Sequence, residues 1–133
     1  MDWRDLESFS YGDSPALADE LVALVVAGRK TATCWAAAEG LLTAPGKRMV
    51  ARDGKGRPRA VIETVELAQR RFGEVDAAFA FDEGEGDRTL AYWRAAHERY
   101  FTRLGQFAPD MLLWCERFRV VEVIAPPLPQ AGA

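Results

Sequence analysis

A helix signal that stops at a glycine and passes without a linker into a run of β-formers constrains this chain more than any other feature. Ser14-Pro15 reads as an N-cap followed by proline at the first helical position, where a missing N–H costs nothing. Leu17, Leu21, Leu24 and Val25 then recur at helical spacing, while Asp19 and Glu20 fall towards the other face. Gly28 suits a C-terminal stop, because glycine tolerates the left-handed backbone required there. The spacing predicts a helix from about Pro15 to Ala27. It delivers the chain into Arg29-Lys30-Thr31-Ala32-Thr33-Cys34-Trp35, which predicts a short strand.

Downstream, Trp35 to Leu42 suits one helical turn and a loop, and Thr43-Ala44-Pro45-Gly46-Lys47 is turn chemistry. Met49 to Arg52 and Arg59 to Leu67 predict two strands joined by a hairpin turn at Asp53-Gly54-Lys55-Gly56. A further extended piece is expected around Arg70 to Phe72. Glu74 to Phe81 suits a short helix, followed by an acidic, glycine-punctuated loop from Asp82 to Asp87. Asp87 is placed to cap a second helix from about Arg88 to Leu104, with Leu90, Trp93, His97, Tyr100, Phe101 and Leu104 as its inner stripe. Leu112 to Ile124 alternates as a long final strand. The tail from Pro126 has no means to build a core and is expected to fray. The order helix, strand, hairpin, helix, long strand predicts an α+β domain with a mostly antiparallel or mixed sheet.

At 133 residues, the chain fits one domain with a core that needs no disulfide or metal. The two cysteines, Cys34 and Cys115, lack ligand spacing and suit a reducing cytoplasm. The start lacks the basic and apolar regions of a signal peptide, and no apolar run approaches a membrane span. A formal net charge of −3 argues against a sequence-independent nucleic-acid binder held by a global positive field. A local basic patch is compatible with that total: Lys47, Arg48, Arg52, Lys55, Arg57, Arg59, Arg70 and Arg71 make the hairpin region basic. No βαβ alternation or glycine-rich phosphate loop indicates a dinucleotide site.

Lys30 and Thr33 are the first candidate pair. On an extended strand an odd separation sends them to opposite faces, so they converge only if the chain bends after Gly28. A neutral Lys30 amine would accept a hydroxyl proton, whereas an ammonium would stabilise developing negative charge. The acids Asp82, Glu83, Glu85 and Asp87 offer a carboxylate to orient the lysine or act as general acid, and equally suit a helix-capping surface loop. His97, the only histidine, shares a helical face with Trp93 and suits either packing or proton transfer. Trp35 and Trp93 read as packing residues by spacing, although an aromatic at a pocket mouth would stack a base.

Tyr11-Gly12-Asp13-Ser14-Pro15, Gly28-Arg29-Lys30-Thr31-Ala32-Thr33, Gly56-Arg57-Pro58, Glu83-Gly84-Glu85-Gly86-Asp87-Arg88-Thr89-Leu90 with Tyr92-Trp93-Arg94, and Cys115-Glu116-Arg117-Phe118 follow one another in an order that resembles the ASCH domain family. The resemblance runs from about Tyr11 to Glu122. It implies a single PUA-like domain over 1–125, a β-barrel of mostly antiparallel or mixed strands with flanking helices, and a cleft beside the glycine-lysine-threonine segment. It further implies RNA or a modified nucleoside as partner; the residues themselves indicate no cofactor or metal-ligand set, and the lack of a spanning apolar run predicts no membrane partner. One branch of that family hydrolyses N4-acetylcytidine, and a longer branch with the Glu-Gly-Glu-Gly-Asp loop is similar to reported ribonucleases. The catalytic lysine and threonine fall on Lys30 and Thr33, and the glutamate on Glu83 or Glu85. Gly28, Thr31, Trp35, Arg88, Thr89, Trp93 and His97 are carried over as candidate substrate-binding positions. Trp35 departs from the pattern, since a small residue is common there.

Overall fold

Ser14 accepts a hydrogen bond from the Leu17 N–H and Pro15 opens the first helix, α1 (Pro15–Val26), in the computed structural model, which describes residues 2–125. Gly28, at φ +77°, turns the chain out of α1, and the Arg29 and Lys30 N–H groups both reach back to the Leu24 carbonyl. Strand pairing begins four residues after that glycine, at β2 (Ala32–Ala36), followed by a 3-10 turn at Ala37–Glu39. The tail from Pro126 lies outside the described residues.

Five strands, β1 (Ser8–Ser10), β2, β3 (Arg48–Arg52), β4 (Pro58–Arg71) and β5 (Leu112–Val123), make one mixed sheet in the order β1-β3-β4-β5-β2. β3, β4 and β5 are antiparallel neighbours, and β2 pairs antiparallel with β5. β4 absorbs the extended piece expected at Arg70, and its ladder shifts register around Val65, whose side chain is exposed. β1 is a strand that the residue pattern did not predict. Three residues are too few to show alternation, and its pairing is parallel to β3. Among the described residues no hydrogen bonds join β1 to β2, so the sheet is an open form of the implied barrel.

Two apolar clusters hold the layers together. α1 lays Leu21, Val22 and Val25 on Ala51, Ala60, Ile62 and Phe118. On the other side, α2 (Ala77–Glu83) and α3 (Leu90–Arg103) bring Phe79, Trp93 and Phe101 onto Ala32, Ala36, Leu113 and Cys115. The helix boundaries correct two expectations. α2 continues two residues past Phe81, so Glu83 is its last residue and Gly84, left-handed at φ 76°, is its cap. The cap of α3 is Thr89, not Asp87, whose carboxylate instead accepts hydrogen bonds from the Thr89 N–H and hydroxyl. Leu104 lies beyond α3 and is 39% exposed, off the inner stripe.

Candidate active site

The ends of three segments meet at one cleft: the exit from α1, the start of β2 and the cap of α2. Lys30 sits between helix and strand and is only 1% exposed. Its Nζ donates to Glu83 Oε1 at 3.0 Å and to Glu85 Oε2 at 3.4 Å. Of the two glutamates between which the residues left the choice open, both bring a carboxylate to the lysine. Glu83 is itself 1% exposed, whereas Glu85 reaches the cleft from the loop after Gly84.

The remaining oxygen of Glu83 is heavily used. Trp93 donates its indole N–H to Oε2 at 2.5 Å, Cys34 its thiol at 3.4 Å, and His97 Nε2 lies 3.4 Å away. His97 is fixed from behind by the Trp93 carbonyl, 2.8 Å from its Nδ1, and its ring stacks on the Trp93 ring at 4.2 Å. Trp93 is therefore both packing, against Phe72, and the support of a buried carboxylate. Its own surface is buried, so it orients Glu83 rather than presenting a face to a ligand.

These contacts decide the charges. Burial alone would lower the Lys30 pKa, but Glu83 and then Glu85 outweigh it, and the ammonium is favoured. Burial alone would raise Glu83, yet Lys30 and His97 hold its carboxyl well below the usual range. Glu85 is raised, chiefly by burial and partly by Glu83, with Lys30 opposing. His97 is raised above its ordinary value because Glu83 more than offsets its burial. The centre is thus an ammonium locked to one ionised carboxylate, with a second carboxylate nearby that takes a proton more readily. The neutral Lys30 amine expected of a lysine base is not the state these neighbours favour.

Thr33 lines the same cleft, about 200 Å³ in volume, with Tyr11, Cys34, Tyr92, His97, Arg99 and Tyr100 among the other walls. Thr33 and Lys30 share the cleft because the chain bends after Gly28, as the sequence separation required. Trp35 lines an adjoining chamber and donates its indole N–H to the Gly40 carbonyl. The other positions carried over lie behind the cleft. Gly28 makes the turn, and Thr31 anchors β2 by donating its N–H to the Asp82 carbonyl at 2.7 Å. Arg88, itself at φ 65°, donates to the Phe81 and Arg29 carbonyls and covers the Phe81 ring at 3.6 Å. Thr89 caps α3.

Arg29 is a positioning residue that the sequence did not single out. Its guanidinium donates to the carbonyls of Gly84 and Gly86, at 2.8 and 2.5 Å, and so clamps the acidic loop beside Lys30. Its position next to Lys30 was the available signal, but its partners are 55 and 57 residues away. Cys34 and Cys115, distant in sequence, are directly opposed across β2 and β5. Burial pushes both thiols up, Cys115 to about 12, so neither is a ready nucleophile. Cys34, Glu83 and His97 place one ligand atom each within 4.8 Å of one another. The Lys30 ammonium on the same carboxylate opposes a second cation there.

The comparisons with known proteins agree with this fold. An ASCH domain of Lactobacillus crispatus is 31% identical with a TM-score of 0.80, over 86% of this chain and 79% of that one. A protein of Enterococcus faecalis is 37% identical with a TM-score of 0.78, over 88% of this chain and 77% of that one. The ASCH protein of Zymomonas mobilis, at 11% identity and a TM-score of 0.54 over 89% and 70% of the two chains, shares the fold alone. None of the curated proteins compared matches the chain. The profile of the ASCH domain matches residues 7–122, nearly the whole described chain, and the protein belongs to the ASCH domain family.

Proposed function

We propose that the cleft binds a nucleoside, free or at an RNA end, and hydrolyses an acyl group from its amine, with Lys30, Thr33, Glu83 and Glu85 as the working set. The observation that carries this is a buried lysine held between two carboxylates on the wall of a cleft that Thr33 also lines. Desolvating such a group costs several kcal/mol. Perturbed ionisable groups with a specific charge partner, in a cleft, are what a functional site requires.

The charges favour one division of labour. Lys30, an ammonium, stabilises the oxyanion that develops as the Thr33 hydroxyl attacks the acyl carbon. Glu83 holds Lys30 in place, and is itself held by Trp93 and His97. Glu85, the more basic carboxylate, takes the hydroxyl proton. The new bond joins Thr33 Oγ1 to the acyl carbon. As the C–N bond breaks, the proton passes from Glu85 to the leaving amine. Water then cleaves the acyl-threonine ester and restores the hydroxyl.

Two carboxylates beside Lys30 repel a phosphodiester, which favours a neutral acyl amide over cleavage of the RNA backbone. Incubating purified protein with N4-acetylcytidine and separating the products by chromatography tests this. Cytidine is expected from the wild type, with a fall of about 10²–10³-fold in Lys30→Ala. Binding of the nucleoside without turnover would make the protein a reader rather than a hydrolase. Cleavage of single-stranded RNA that is lost in Lys30→Ala would replace amide hydrolysis with ribonuclease chemistry.

A further inference from the structure

Next to the acid–lysine cleft lies a larger chamber of about 360 Å³, and all five strands contribute to its lining. Phe9 comes from β1, Thr33 and Trp35 from β2, Met49 from β3, Ile62 from β4 and Glu116 from β5. Its walls are largely apolar or aromatic, and its floor carries a carboxyl. Glu116 is 5% exposed, and the one hydrogen bond made to its carboxyl by a described residue comes from Thr64, 2.7 Å from Oε2. Thr64 is engaged in turn with Thr43 at 2.8 Å. Among the described residues no cation lies within ion-pair distance of Glu116, and Oε1 has no donor. Tyr11, which lines both cavities, has a buried phenol oxygen with no partner among the described residues. A carboxyl oxygen that faces a chamber and is engaged by no described residue is free to accept from whatever enters, and a ligand N–H there replaces the water it would otherwise bind.

We propose that this chamber is a base-binding subsite in which Glu116 Oε1 accepts the N–H of an amine on a flat heterocycle. The register places the subsite with respect to Thr33. Thr33 and Glu116 are directly opposed across β2 and β5, which sets their Cβ atoms about 5 Å apart on one face. Thr33 belongs to both cavities, so a ligand amine held by Glu116 puts any acyl group attached to it beside the Thr33 hydroxyl. The larger and more apolar chamber takes the ring against Trp35, and the smaller charged cleft takes the acyl group. This assignment of parts rests on the hydrolase reading above, but the chamber's preference for an amine does not require turnover. A carboxylate accepts from an amine and repels a carbonyl oxygen at the same ring position.

The experiment compares binding of cytidine and uridine, which differ at that edge by an amine against a carbonyl, measured by tryptophan fluorescence and by thermal shift at pH 8. Wild type is expected to bind cytidine at least tenfold more tightly than uridine. Glu116→Gln, whose amide oxygen still accepts from Thr64, should bring the two nucleosides within about threefold, because its amide N–H₂ donates to the uridine carbonyl. Leu42→Trp, at the exposed rim of the chamber and away from Glu116, should abolish binding of both. Equal binding of the two nucleosides by wild type, or an undiminished preference in Glu116→Gln, overturns the subsite. Discrimination that persists without hydrolysis by wild type overturns the hydrolase alone.

Discussion

Lys30 is a charge that the fold has removed from water and surrounded. Its value to stability is the difference between a large desolvation cost and a large attraction, so the pair is weak support as a unit and strong as a dependency. Lys30→Met is expected to destabilise the domain by about 3–5 kcal/mol, because it leaves Glu83 ionised, buried and without its counter-charge. Urea denaturation of Lys30→Met, Glu83→Gln and the double variant checks this. The double variant should lose clearly less than the sum of the singles. If the losses add, the two residues do not act as a pair.

His97 supplies a second prediction at this scale. Its folded pKa is raised above 6.5, by Glu83 against the opposing effect of burial, so the folded state holds the proton more tightly than the unfolded chain. That contribution is fully present below the unfolded value and is lost as pH rises through the folded one. Midpoints of urea unfolding should therefore fall as pH rises from about 6 into the alkaline range, and His97→Gln should flatten that slope. An unchanged slope in the variant would show that Glu83 is not paired with an imidazolium.

At the scale of elements, the site depends on how α2 ends. Gly84 is left-handed, and a Cβ there would meet the Arg29 carbonyl oxygen at 2.4 Å and Lys30 Cα at 3.0 Å. Gly84→Ala therefore combines backbone strain of about 1–3 kcal/mol with a clash that pushes the acidic loop from Lys30. Both stability and hydrolysis should fall. Thr89→Ala is the comparison. It removes the cap of α3 at a cost of about 1 kcal/mol, with hydrolysis at 25 °C kept within about twofold, since Thr89 does not line the cleft. Equal losses of activity in the two variants would mean that α3 as a whole, rather than the α2 cap, sets the geometry.

For the whole molecule, the net charge of −3 and the carboxylates inside the cleft point the same way. A ligand held by stacking and an amine contact releases few counterions, so cytidine affinity should change less than about threefold between 50 and 500 mM salt. Isothermal titration over that range is the check. A steep inverse salt dependence would move the ligand contacts to phosphates and the basic hairpin. The adjoining chamber exists because the edge strands β1 and β2 both reach it and, among the described residues, are not paired with each other. A closed small barrel would fill that space with side chains.

Local signals determined much of this protein. Ser14-Pro15 and Gly28 bound α1 because capping and left-handed turns depend on neighbouring residues alone, and the hydrophobic spacing of Trp93 and Phe101 set the inner face of α3. The order of short motifs carried the family. What tertiary structure decided was company at long range. Glu83 and Glu85 reach Lys30 across more than fifty residues, Arg29 holds the acidic loop through the Gly84 and Gly86 carbonyls, and Glu116 faces Thr33 only through strand register. The charge on Lys30 follows from those neighbours. A sequence holds the lysine, but its protonation depends on the distances and burial that folding creates.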